Sequence, residues 1–287
     1  GSTSLNSSAR LTMVEALRAV LRSRLQSDPR VLLLGEDIED PKGDVFGVTR
    51  GLSTEFPDRV QNSALSEATI LGVSIGRALA GARPVAFIQF ADFLPQAFNQ
   101  IVSELGSMHW RSAGAWSCPV ILLVACGGYR PGLGPFHSQT MESIMAHVPG
   151  IDVFMPSTAA DAAGLLQSAF RSERPTILFY PKIALNDHEH NTTADALSHP
   201  ILAGVADKRR SGTDLTIVSW GHPVRLCEQV AETLTPLGLS VDLLDLRSIS
   251  PWDVTAVVDS ARTTRRLLVV HEDNITCGFG AEVVATV

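Results

Sequence analysis

The chain has 287 residues, is 45% hydrophobic and 18% charged, and carries a formal net charge of -7. That is ample apolar material for one large core or two ordinary ones. Acids and bases are interspersed with no basic stripe, which argues against a nucleic-acid partner, and no apolar run reaches the ~20 residues of a membrane span.

The opening GSTSLNSSAR reads as a cloning scar with a loose terminus and is set aside from the fold. LTMVEALRAVLRSRL (11–25) is a helix, with Thr12 and Glu15 at capping-box spacing. VLLLG (31–35), PVAFIQF (84–90), PVILLVA (119–125), IDVFMP (151–156) and TILFY (176–180) are runs of strand length. They are continuously apolar rather than alternating, as parallel strands covered on both faces are. Helical patterns lie between them: SEATILGVSIGRALAG (66–81) with Gly81 as its stop, FLPQAFNQIVSELGSMHW (93–110), and STAADAAGLLQSAFRS (157–172).

NDHEHNTTADALSHP (186–200) is polar, lacks periodicity and reads as a linker. After it come a strand at 215–221, a helix at 223–238 stopped by Gly238, a strand at 241–249, a helix from 250 with Ser250 as N-cap and Pro251 at its first position, and a strand at 266–272. The expected fold is therefore α/β with two domains, at 11–190 and 200–287, each a mostly parallel sheet flanked by helices.

Cys118, Cys126, Cys227 and Cys277 form no CxxC pair and are expected to be reduced and buried. His188 and His190 in HEH have the spacing of strand-borne metal ligands, but zinc needs three or four ligands and the pair lies in the linker. HED (271–273) follows a strand and is either a site or a surface end of that element. The phosphate-binding GxxxxGK[ST] is absent, and no GxGxxG opens a helix after a strand. One constellation is sharper. Glu67 starts an otherwise apolar helix, Gln89 and Phe93 flank a strand end, and His137 sits in the loop GLGPFHSQT (132–140). In parallel sheets ligands collect at the carboxyl ends of strands, where these residues fall. A carboxylate, an amide, a ring and an imidazole there suit a planar, polar-edged heterocycle. Each alone also has a plain structural reading as cap, core or loop residue.

At these residues the sequence resembles the β subunit of the E1 component of 2-oxo acid dehydrogenase complexes, of the branched-chain or pyruvate type. The resemblance is carried in family order by LLLGEDI (32–38), VFGVTRGL (45–52), LSEATILGVSIGRALAG (65–81), IQFADFLPQAFNQIVSE (88–104), HSQ (137–139), PKI (181–183), DLRSISPWD (245–253) and HEDNITCGFGAE (271–282). It implies a transketolase-like pyrimidine-binding domain followed by a transketolase C-terminal-like domain. It also implies thiamine diphosphate, with Glu67 bonded to N1′ of its aminopyrimidine, Phe93 stacked on that ring and Gln89 beside it. His137 would face the substrate and assist transfer of the acyl group to a lipoyl group. QSAFRSERP (167–175) resembles a loop that binds structural potassium (K+) through backbone carbonyls, here those of Ala169, Ser172 and Arg174. The family's diphosphate and Mg2+ motif, GDG with a later Asn, is missing: Gly43-Asp44 is followed by Val45. An α subunit is therefore expected to supply that half of the site, in an α2β2 assembly that serves a lipoyl-bearing E2.

The resemblance leaves other donors open, acetoin or a ketose phosphate among them. It also leaves open a non-catalytic assembly paralogue, because family members continue past GFGAE where this chain stops at Val287. The expected location is the cytoplasm of a bacterium, or the mitochondrial matrix of a eukaryote.

Overall fold

The structure is a computed structural model describing residues 9–287. Residues 1–8 of the expected loose terminus lie outside the described residues, and Arg10–Leu11 form a short strand, β1. Helix α1 (Met13–Ser27) is capped by Thr12, which accepts from the Glu15 amide and donates its hydroxyl to the Glu15 carboxylate at 3.0 Å. Its buried stripe of Met13, Leu17, Val20 and Leu21 is what the 3.6-residue period requires.

The chain then runs through β2 (Val31–Gly35), α2 (Leu52–Glu55), β3 (Val60–Asn62), α3 (Glu67–Leu79) and β4 (Arg83–Ile88). Gly81, at φ +99°, turns the chain after α3 in a conformation that side chains resist. The single helix expected over 93–110 is not there. A 3-10 segment (Ala91–Ala97) leads into a π-helix (Asn99–Leu105) and then α4 (Met108–Arg111). Pro95 removes a backbone donor and crowds the preceding turn. Gly106 ends the π-helix where a Cβ would stand 2.7 Å from Val148.

Next come β5 (Ile121–Cys126), α5 (Glu142–Ala146), β6 (Asp152–Phe154), α6 (Ala159–Arg171) and β7 (Thr176–Pro181). Strands β6, β7, β5, β4, β2 and β3 lie side by side and parallel. One face is packed by α3 and the 91–108 segment, the other by α1 and α6.

The supposed linker is a packed strap. Thr192–Thr193 (β8) pair antiparallel with β1, and Leu197 from the following 3-10 turn lies on the core. The HEH motif within it is not on a strand. His190 bonds Asp187 at 2.9 Å and Glu228 at 3.3 Å, and Arg225 pairs with both Asp187 and Glu189. The guanidinium therefore already compensates the carboxylates that a metal would need.

The second sheet is built from β9 (Asp207–Arg210), β10 (Leu215–Ser219), β11 (Val241–Asp245) and β13 (Leu267–Val270), in the order β13-β10-β11-β9. Helices α7 (Pro223–Leu234), α8 (Val254–Thr264) and α9 (Phe279–Thr286) accompany it. Strand β9 is an antiparallel edge of sequence DKRR, whose charges suit an edge and hide it from an apolar pattern.

The strand expected over 241–249 is broken. At Arg247, φ +59°, the chain leaves the second sheet, and Ser248–Ser250 (β12) pairs antiparallel with β6 as the edge of the first. Ser250 is thus used as a strand residue. Asp253 caps α8 instead, accepting from the Ala256 amide at 3.0 Å. Cys118, Cys126 and Cys227 are buried and free, as expected, whereas Cys277 is exposed. Among the described residues no helix is long and apolar enough to cross a membrane.

Candidate functional site

The carboxyl ends of β2 and β4, the first turn of α3 and the loop after β5 enclose a cleft of about 430 Å3. Glu67, Gln89, Phe93 and His137, drawn from distant stretches of sequence, all line it. Ser66 caps α3, its hydroxyl accepting from the Thr69 amide at 3.3 Å. That cap fixes Glu67 in the first helical turn, where the helix dipole favours a carboxylate. Glu67 is only 9% exposed.

A second carboxylate, Glu36, follows β2 and is 8% exposed. Burial, then the neighbouring Glu67 and Asp37, push its carboxyl above the usual range. Its Oε1 is buried without a hydrogen-bond partner. The low dielectric and the acid beside it favour the protonated form of Glu36. Gln89 donates from Nε2 to the Glu36 carbonyl at 3.4 Å.

The opposite wall is aromatic. Phe90 meets the His137 ring edge-to-face at 4.7 Å, and Phe93 meets it at 5.6 Å. His137 is anchored locally. Its Nδ1 lies 3.0 Å from the Leu133 carbonyl, and its amide donates to the Gly134 carbonyl at 3.3 Å. Gly132 and Gly134, at φ +88° and +67°, give the loop the turns this needs. With Nδ1 donating to Leu133, Nε2 is the ring nitrogen left for chemistry.

Sequence reasoning did not single out Glu36, Ser66, Phe90 or Gln96, which also line the cleft. The position of Glu36 directly after a buried strand was the available signal. Ala169, Ser172 and Arg174 lie apart from the cleft lining, at the carboxyl end of α6. Their carbonyls accept from the Ser172 amide, the Arg83 guanidinium and the Thr176 hydroxyl, at 3.2, 3.2 and 3.4 Å. Arg83 also donates to the Phe170 carbonyl. A fixed cation, the Arg83 guanidinium, thus shares this turn with the three carbonyls.

HED (271–273) is half-buried and bonds across to the first domain. His271 stacks on Trp220 at 5.4 Å, Glu272 accepts from the Gly128 amide, and Asp273 accepts from Ser143 at 2.8 Å.

Comparison with known proteins agrees with this architecture. Residues 9–187 match the transketolase pyrimidine-binding domain, and residues 204–287 match the transketolase C-terminal domain. The β subunit of 2-oxoisovalerate dehydrogenase from Bacillus subtilis is 39% identical over 278 residues, covering 96% of this chain and 84% of that protein. The pyruvate dehydrogenase E1 component β subunit from Leifsonia xyli is 40% identical, covering 96% and 81%. A solved structure titled as a split-gene transketolase, inactive β4 tetramer, superposes with TM-score 0.80 over 96% of this chain and 84% of that one, at 23% identity, and so supports the fold. The chain belongs to the family of E1 β subunits of 2-oxo acid dehydrogenases, built on the transketolase pyrimidine-binding and C-terminal domains.

Proposed function

We propose that this chain is the β subunit of a thiamine-diphosphate-dependent E1 that decarboxylates a 2-oxo acid and transfers the acyl group to a lipoyl-bearing E2. The observation that carries this reading is the paired Glu36 and Glu67 at the floor of the cleft, with His137 on its wall. The orphaned Glu36 Oε1, the buried acids and the aromatic wall suit the aminopyrimidine of thiamine diphosphate. When bound, that cofactor supplies the electron sink for decarboxylation. Glu67 would hold a proton at its carboxyl oxygen against a ring nitrogen, and Glu36 would keep that proton in the cleft rather than lose it to water. Phe90 and Phe93 would hold the ring by apolar contact and keep water from it. His137, fixed through Nδ1, offers Nε2 to give or take a proton near the reacting carbonyl.

The diphosphate and its Mg2+ fall to an α subunit in an α2β2 assembly, since this chain lacks the GDG motif. Potassium on the carbonyls of Ala169, Ser172 and Arg174, a turn that Arg83 also holds, would serve structure rather than chemistry. The test is Glu67→Gln in the assembled α/β enzyme. Turnover is expected to fall by roughly 10²-fold or more while assembly, followed by size-exclusion chromatography, persists. Unchanged turnover overturns the reading.

A further inference from the structure

The His137 loop runs from Gly127 to Gln139, and its neck is closed by the Gly127 amide donating to the Gln139 carbonyl at 3.0 Å. Each side of that neck is held by a carboxylate from elsewhere. The Gly128 amide donates to Glu272, which follows β13 in the second domain. The Gln139 amide donates to Asp92 at 3.3 Å, from the segment after β4. Glu272 sits hard against the loop backbone: a Cβ on Gly127, φ +91°, would stand 3.0 Å from both of its oxygens.

Between these anchors lies Lys182, just after β7 and 3% exposed. Its ammonium is buried with no hydrogen-bond partner, and so is Asp92 Oδ2. Buried polar groups are rarely left unpaired, and a buried charge needs a counter-charge. Burial works against the Lys182 ammonium and Arg130 of the loop adds to that, while the Cys126 side chain, Asp92 and Glu272 favour it, with no direct ion pair to either carboxylate. Lys182 also lies over the Phe90 ring at 5.2 Å, and the same ring meets His137 edge-to-face. None of Asp92, Lys182 and Glu272 lines the cleft.

We propose that Asp92 and Glu272, with the buried Lys182, form a clamp that fixes both ends of the His137 loop, so that Glu272 is a positioning residue through which the second domain acts on the cleft and Lys182 is its support from the first. The consequence for turnover rests on the reading of His137 given above; the clamp itself does not. Loss of Glu272 frees the amide of Gly128, and loss of Lys182 removes the buried ammonium that partly offsets Asp92 and Glu272. Either change loosens the loop and misplaces the imidazole. The second domain contributes no lining residue, yet it would control the geometry of the site.

The test uses the assembled α/β enzyme with Glu272→Ala, Glu272→Gln, Lys182→Met and His137→Ala. Amide hydrogen exchange of residues 128–139 is read beside kcat and KM for the 2-oxo acid. Glu272→Ala and Lys182→Met are expected to speed exchange in the loop and lower kcat roughly tenfold or more, with a smaller change in KM. Glu272→Gln keeps an acceptor for Gly128 and is expected to restore most of the protection. If Glu272→Ala does not fold, Lys182→Met carries the test. Unchanged loop exchange in Glu272→Ala and Lys182→Met overturns the clamp, whatever His137→Ala does. Faster loop exchange with His137→Ala fully active supports the clamp and overturns the catalytic reading alone.

Discussion

Two buried charge clusters join the domains, and they are built differently. In the first, Arg209 of β9 reaches Asp161 of α6 at 2.6 Å, Asp245 of β11 at 2.8 Å and Asp207 at 3.0 Å. Ser157 adds a hydrogen bond to Asp245 at 2.6 Å, and Arg247 pairs with Asp161 at 3.3 Å. Burial opposes the charge on Arg209, but Asp245 and Asp161 outweigh it and hold the guanidinium protonated. In the second, beside the His137 loop, Lys182 Nζ, Asp92 Oδ2 and Glu142 Oε2 are buried without partners. The first cluster spends its charges on each other, with only Arg209 Nε left unpartnered, and acts as a fixed joint. The second holds its acids and its lysine near one another without a direct ion pair and leaves more polar capacity unused.

Three measurements would break or sharpen that contrast. The largest effect is expected from Arg209→Met, which strands Asp161 and Asp245 without their main counter-charge. Removing one partner of a buried network costs about 3–5 kcal/mol, to be read from denaturant unfolding. A loss below about 1 kcal/mol would mean that this joint behaves like a surface pair.

The second is a pH effect at the other cluster. Burial, with Asp273 adding to it, pushes the Glu142 carboxyl up to about 7, against a hydrogen bond from Trp220. A carboxyl raised on folding binds more protons in the native state than in the unfolded chain. Stability is therefore lost as pH rises from about 4.5 through about 7. The contribution is about 3 kcal/mol, and Glu142→Gln should flatten it. If both proteins show the same slope of melting temperature between pH 5 and 8, the slope does not come from Glu142.

The smallest effect is expected from Phe90→Leu, which removes the edge-to-face contacts to His137 and Phe93 and the face under Lys182. A cost of about 1 kcal/mol in thermal stability should come with faster exchange in the loop. Stability loss without any change at the loop would reduce Phe90 to a filler of the cleft wall.

The sequence was legible where the physics is local. The apolar runs of β2, β4, β5 and β7 bury on both faces and say so without help from the rest of the chain. Thr12 and Gly81 announce their turns through their own chemistry. Illegible features depend on distant partners. Nothing in VDLLDLRSI marks the change of sheet at Arg247, because β12 is defined by β6. Ser250 had good cap chemistry, but strand pairing claimed it and Asp253 took the role. The site split the same way. Glu67, Gln89, Phe93 and His137 could be gathered because strand ends converge in parallel sheets. Glu36 and Glu272 gain meaning only from the groups they face, the one Glu67 and the other the Gly128 amide.

The crossing of β12 has a consequence for how the protein is made. Until residues 248–250 emerge from the ribosome, β6 presents a bare row of backbone donors and acceptors along the rim of the first sheet. Such a rim invites pairing with another nascent chain. The first domain can therefore collapse early but is sealed late, by a strand that arrives only after most of the second domain's sheet has been synthesised. Aggregation during synthesis should concentrate in that interval, and chaperones that shield sheet edges would matter most there.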